Sequence, residues 1–364
     1  MRSWKFWIGV AISAIFVYWT ASGLVDWASF WTALRQAQYW WLIPGIVVYF
    51  CAVWARTWRW HYMLRHMAEV PLRHLFPIVV IGYMGNNIYP ARAGEIIRSY
   101  VLKRNEQVSI SASLATVALE RLFDGLVMCV FVFATLPFVP LPPVYRMLVV
   151  GFSTLFFVAL VIFLLLAARP ERTNLLAARI IAQVVPGRIR PRVSDLAAKF
   201  IRGLESLRSP REVLMIFLTS VAIWLTETTK YWFVMHAFPF EVSFPVLMLM
   251  TAVVNLFTTI PSAPGYVGTF DAPGIEVLKS FGVAASTAAA YTIVLHVALW
   301  LPVTLLGLFY MSRTSLRWRD IDMAVEESRE GGNLERRQAD SSSLVSLLVL
   351  LGAAVAVGSA GWVL

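Results

Sequence analysis

Charge is what this chain has least of. Only 14% of its 364 residues are charged, against 59% hydrophobic, where an ordinary globular domain carries roughly a quarter charged. That shortage excludes a soluble domain and points to a protein dissolved in lipid. Cysteine is nearly missing: Cys51 and Cys129 each lie inside an apolar run, which excludes a disulfide framework and a thiolate zinc site. Short segments of alternating polarity are also scarce, so a membrane β-barrel is excluded. There is no Gly-rich P-loop and therefore no site of that kind for a nucleoside triphosphate. Of the five histidines, His61, His66 and His74 share one basic stretch at spacings that do not line a single helix face. No metal or other cofactor is expected.

The net charge of +10 would suit nucleic acid, but no nucleic-acid motif accompanies it, and its placement argues for another cause. From Arg169 to Arg211 there are nine arginines and Lys199 against Glu171, Asp195 and Glu205. One such loop beside a span is the mark of a cytoplasmic loop under the positive-inside rule. Arg56, Arg59, Trp58 and Trp60 read in the same spirit, as snorkelling and interfacial side chains just past a span.

Long apolar runs place membrane spans at 6–25, 40–55, 109–136, 146–168, 212–237, 284–311 and 344–364. The first reads as an uncleaved span rather than a signal peptide. Two further apolar stretches, 75–90 and 246–261, hold 16 residues each, about 24 Å of helix against a hydrocarbon core of about 30 Å. Each ends in polar residues and a proline: Asn86, Asn87 and Pro90 in one, Asn255, Thr258, Thr259 and Pro261 in the other. Proline frees backbone groups that lipid cannot satisfy, so such breaks survive only inside protein or beside a wet cavity.

The two breaks look like copies. Each is followed by glycine, an acid, a short helix and Val-Leu-Lys, at 101–103 and 277–279. If both stretches dip in and return, the basic segments all fall on the side of the N-terminus. The expected fold class is therefore an all-α polytopic membrane protein: an inverted repeat of three spans plus a re-entrant helical hairpin, with an extra C-terminal transmembrane helix. Residues 1–312 form the transmembrane domain, with halves at about 1–136 and 146–312 and the arginine-rich cytoplasmic loop at 169–211. A polar linker follows at 313–343, then the last helix at 344–364. Residues 193–207 carry an apolar face among basic residues and read as an interfacial helix.

Intramembrane charge marks the candidate site. Glu120, Arg121 and Asp124 in ALERLFDG fall near the middle of one span, where even low figures put a lone ion at roughly 2.5–3.5 kcal/mol. The first break supplies partners in Arg92, Glu95 and Arg98. One reading is a neutral structural network. The other is a site where a phosphate displaces a carboxylate from an arginine, a task suited to bidentate guanidinium. Asn86, Asn87 and the helix start at Gly94 complete this half, since free N–H groups there favour an anion. Gly265, Gly268 and Asp271 form the matching turn of the second break. Glu227 and Lys230, three residues apart, are a further intramembrane pair with a coupling role in view.

NNIYPARAGEIIRSYVLKR, ALERLFDG and PSAPGYVGTFD, in this order, resemble the signature regions of the lysylphosphatidylglycerol synthase transmembrane family, also called flippase-like domain proteins. The resemblance covers roughly residues 5 to 312. Ala91, Tyr266 and Asp271 stand where the family pattern usually has glycine, glycine and glutamate. The resemblance implies movement of a lipid across the bilayer, with some relatives linked to polyprenol-linked sugars. It implies no enzyme here, because the soluble aminoacyl-transferase domain of the full synthases has no room in these residues.

The expected function is thus a flippase-like transporter of the bacterial plasma (inner) membrane, with the N-terminus in the cytoplasm. It would move a phosphate-bearing or polyprenyl-linked lipid. The alternatives are a membrane-embedded transferase acting on polyprenyl-phosphate sugars, and a non-transporting scaffold. Expected partners are membrane lipids, with envelope lipid or glycolipid biosynthesis enzymes and a second copy of the chain as candidates, and no nucleic acid.

Overall fold

The computed structural model describes residues 26–321 except 90–91, 139–142, 169, 186–189, 205–206, 208, 261 and 315–317, together with scattered positions between 11 and 18. The expected span at 6–25 lies largely outside the described residues, as do the linker beyond 321, the last helix at 344–364, and Pro90, Ala91 and Pro261. Among the described residues the elements are all helical: α1 (Trp27–Gln36), α2 (Leu42–Leu64), α3 (Leu72–Ile88), α4 (Gly94–Glu106), α5 (Ile110–Thr135), α6 (Pro143–Ala168), α7 (Pro170–Val184), α8 (Arg190–Gly203), α9 (Pro210–Met235), α10 (Phe244–Phe257), α11 (Asp271–Ser280) and α12 (Ala285–Arg313).

Local signals start and stop these helices. The Asp26 carboxylate accepts from the N–H groups of Ala28 and Ser29 and caps α1. Ser109 Oγ accepts from the Ala112 N–H and caps α5. Pro210 opens α9 at a position where a missing N–H costs nothing. The segments at 39–64, Pro210–Met235 and Ala285–Arg313 are long and apolar enough to cross a membrane, and α6 with α7 makes a fourth if the bent pair is one span. α5 has 26 residues, about 39 Å of helix, and carries its three charges in the middle.

The two breaks are present as breaks. α3 has 17 residues and α10 has 14, about 26 Å and 21 Å. α4 folds back on α3 through a seam of glycines. A Cβ on Gly94 would lie 1.8 Å from the Gly82 carbonyl oxygen, and one on Gly85 would lie 2.8 Å from the Gly94 Cα. Helices approach this closely only where side chains are absent. On the other face of α3, Val80 and Met84 pack against Val303 and Met311 of α12. α10 and α11 share a separate core with α9 and α12, centred on Leu247, Val254, Ile275, Leu278 and Tyr291.

The structure corrects two expectations. The helix expected to end at residue 55 runs to Leu64, and its arginines do not snorkel: Arg56 and Arg59 are 8% and 1% exposed, and Trp60 is fully buried. The arginine-rich stretch 169–211 contains the helices α7 and α8. The segment expected to lie on lipid at 193–207 docks on the protein. Leu204 and Leu207 are buried in a core with Met63, Leu119 and Phe123, and Gly203 sits against the Ala112 carbonyl of α5. Leu196 remains exposed.

Candidate functional site

α2 brings two arginines, one turn apart, to the centre of the bundle. Arg59 Nη1 donates to Asp124 Oδ1 at 2.7 Å and to Ser220 Oγ at 2.6 Å, and its Nη2 lies 3.8 Å from Glu120 Oε1. Arg56 pairs with Glu227, which also accepts from Lys230. Trp224 ties the two groups together: its indole N–H donates to Asp124 Oδ1 at 2.9 Å, and its ring lies under the Arg56 guanidinium. Sequence reasoning missed both arginines because a charge was taken to end a span. The signal was there in the helical spacing, since Tyr49, Val53, Trp60 and Leu64 continue one buried face straight through Arg56.

The residues expected from the first break join the same network. Arg121 Nε donates to Glu95 Oε1 at 2.8 Å and its Nη1 lies 3.6 Å from Asp124. Arg98 pairs with Glu120, and its guanidinium stacks over the Trp60 ring. Asn86 Oδ1 accepts from the Gly94 N–H at 2.9 Å, taking up one of the free donors at the start of α4. Asn87 reaches across to α12, donating to Thr304 Oγ1 at 2.8 Å and to the Trp300 carbonyl at 3.2 Å.

The second break is built around a histidine of α12. His296 Nδ1 lies 2.8 Å from Asp271 Oδ1, and Nε2 lies 2.7 Å from the Gly265 carbonyl. The Gly265 carbonyl can only accept, so Nε2 carries the N–H that bonds it, and one proton is shared between Nδ1 and Asp271. The other Asp271 oxygen accepts from the Gly268 N–H at 2.9 Å. Gly265 has φ 72°, a conformation open to glycine at no steric cost.

Arg92 is where the two breaks meet. Its Nη2 donates to the Thr258 carbonyl at the end of α10 at 2.8 Å, and its guanidinium lies 5.7 Å from the Tyr266 ring centroid. Both residues hold left-handed backbones, φ 52° for Arg92 and 61° for Tyr266. Such conformations are costly outside glycine and cluster where a site needs them. Arg92 has no carboxylate partner among the described residues, and its Nε is buried without an acceptor. Glu95 Oε2 is likewise buried and unpaired.

Counting the network gives six cations (Arg56, Arg59, Arg92, Arg98, Arg121 and Lys230) against four carboxylates (Glu95, Glu120, Asp124 and Glu227). A cleft of about 870 Å³ between α5, α6 and α9, lined by Phe123, Val130, Phe133 and Leu214 among others, takes no part in this. By helical spacing its α5 residues occupy the face opposite Glu120, Arg121 and Asp124.

Residues 6–307 match the family described as the lysylphosphatidylglycerol synthase TM region. The chain belongs to this family. Among its relatives, a UPF0104 membrane protein of Methanothermobacter thermautotrophicus is 26% identical over 282 residues, covering 72% of this chain and 82% of that one. Glycosyltransferase AglD of Haloferax volcanii is 25% identical over 335 residues, covering 82% of this chain but only 53% of its own length. A UPF0104 membrane protein of Methanocaldococcus jannaschii is 25% identical over 235 residues, 62% of this chain and 93% of that one. No solved structure matches. In this member of the lysylphosphatidylglycerol synthase transmembrane-region family, Tyr266 holds a left-handed turn between Gly265 and Gly268. Its ring lies beside Arg92.

Proposed function

We propose that this chain is a lipid transporter of the plasma membrane, moving a lipid whose headgroup carries phosphate. The observation that carries the reading is Arg92. Arg92 is half-buried, its Nε is buried without an acceptor, it has no carboxylate partner among the described residues, and it brings the network to two cations in excess. Such a guanidinium suits an anion. Arginine binds phosphate through paired N–H donors, and Arg121, with 27% of its side chain exposed, offers a second guanidinium. In this reading the phosphate takes Arg92 from the Thr258 carbonyl. That loosens the tie between the first break and the end of α10, so headgroup binding is coupled to movement of one half against the other. The hydrocarbon tails stay in the surrounding lipid. With no P-loop in the sequence, the energy comes from a gradient, from the lipid imbalance or from a partner.

A second reading, a membrane-embedded transferase acting on a lipid-linked sugar, draws on two observations. One relative is named a glycosyltransferase, and Glu95 Oε2 has a free lone pair inside the network, as a general base requires.

Reconstitution separates the two. In proteoliposomes carrying a fluorescent phospholipid, the wild-type chain is expected to speed lipid exchange between leaflets. Arg92→Gln is expected to lose most of that acceleration, about tenfold or more, at equal protein incorporation. A wild-type chain no faster than empty liposomes, with a covalently altered lipid as its product, would replace transport by transfer.

A further inference from the structure

The charge excess is not in one place. Arg59, Arg98 and Arg121 are matched by Asp124, Glu120 and Glu95, while Arg92, on the Thr258 carbonyl, is a fourth cation with no carboxylate of its own among the described residues. One helical turn away, Arg56 and Lys230 share the single carboxylate of Glu227. Each half is therefore short of one negative charge. Glu227 and Lys230 are 4% and 3% exposed, so bulk solvent does not supply it, and an unbalanced buried charge is costly.

The two halves share a wall. Tyr83 lies within electrostatic reach of Arg56, Arg121, Tyr49 and Tyr266. Lys230 Nζ lies 4.8 Å from the Tyr49 ring centroid. Arg92 stands over Tyr266 on the other side. The hydroxyls of Tyr49, Tyr83 and Tyr266 have no hydrogen-bond partner among the described residues, though each can donate one proton. Tyr49 beside Lys230 and Tyr266 beside Arg92, with Tyr83 within electrostatic reach of both tyrosines, thus offer O–H donors at the two cationic poles.

We propose that the ligand carries two linked anionic groups, as a diphosphate does. One is held at Arg92 and Arg121, the other at Arg56 and Lys230, with the tyrosine hydroxyls on the oxygens between. This rests on the phosphate-lipid reading above and narrows it to diphosphate chemistry.

The test uses the full chain in nanodiscs of neutral phosphatidylcholine, with farnesyl phosphate, farnesyl diphosphate and inorganic pyrophosphate as probes. The wild type is expected to bind farnesyl diphosphate about tenfold more tightly than farnesyl phosphate. Lys230→Gln is expected to lose that preference by weakening the diphosphate, while Lys230→Arg keeps it. Both variants leave Glu227 paired with Arg56 and so should fold. Competition by pyrophosphate at similar concentration would assign the two-anion site to a free diphosphate, and its failure to compete would assign the site to the lipid. Equal wild-type affinity for the two farnesyl probes, or a preference unchanged in Lys230→Gln, overturns the proposal and leaves the phosphate reading standing. Binding of neither farnesyl probe overturns both.

Discussion

Gly94→Ala is expected to leave the first break unable to close. The added methyl carbon would sit 1.8 Å from the Gly82 carbonyl oxygen, 2.6 Å from the Asn86 backbone nitrogen and 2.7 Å from Asn86 Oδ1. Two of the three are backbone atoms of α3 or its ladder, so no rotamer change makes room. Either α4 moves off α3, or the last turn of α3 unwinds. Both routes lose the Asn86 contact to the Gly94 N–H and displace Glu95 and Arg98, one and four residues on. The cost is expected to reach about 3 kcal/mol or more, the upper end of overpacking, because the clash is with backbone atoms. It would be read as a collapse in thermal stability in detergent and a loss of the monodisperse species. Gly151→Ala is the control, because a Cβ there meets nothing within 4 Å. Equal stability of the two variants would show that the α3–α4 seam is not as tight as described.

Arg59→Met is of similar size. Arg59 is 1% exposed and holds Asp124, Ser220 and the edge of Glu120. Methionine keeps much of the volume and removes the charge, leaving two carboxylates in a dry interior with fewer cations. Removing one partner of a buried pair costs about 3–5 kcal/mol, much of it the penalty on the charge left behind. That account makes a specific demand on the double variant: Asp124→Asn in the Arg59→Met background should recover part of the loss. A coupling of about 1–3 kcal/mol in the cycle fits this account. Strictly additive losses would mean that Arg59 acts through packing alone.

Much of this is legible in the sequence. The broken helices could be read because length and chemistry agreed: 16 apolar residues are too few to cross, and the asparagines that follow sit in no lipid. The pairing of Arg98 and Arg121 with Glu120, Glu95 and Asp124 could be read because lone ions in a span need partners, and few were on offer. The half of the network on α2 was not read, because Arg56 and Arg59 were treated as the edge of the membrane when their partners lay on α5 and α9, 65 and 171 residues away in sequence. His296 was passed over for the same reason. A lone histidine in a span carries no local clue that Asp271 and the Gly265 carbonyl flank both its nitrogens. The docking of α8 on α5 was hidden by its arginines, which suggested a lipid surface. The apolar pair Leu204 and Leu207 was the better guide.

The account stands on the first break lying inside the bundle against the opposite half, where Asn87 meets Thr304 and Arg92 meets the end of α10. Disulfide trapping in native membranes tests that contact most directly. In a background with Cys51 and Cys129 replaced by alanine, Asn87→Cys together with Thr304→Cys is expected to cross-link rapidly under mild oxidation. The rate should match that of the control pair Gly45→Cys with Val234→Cys, where α2 packs on α9. A control pair that closes while the 87–304 pair stays reduced would place the break away from α12. It would leave the cationic cluster without its contacts to the second half.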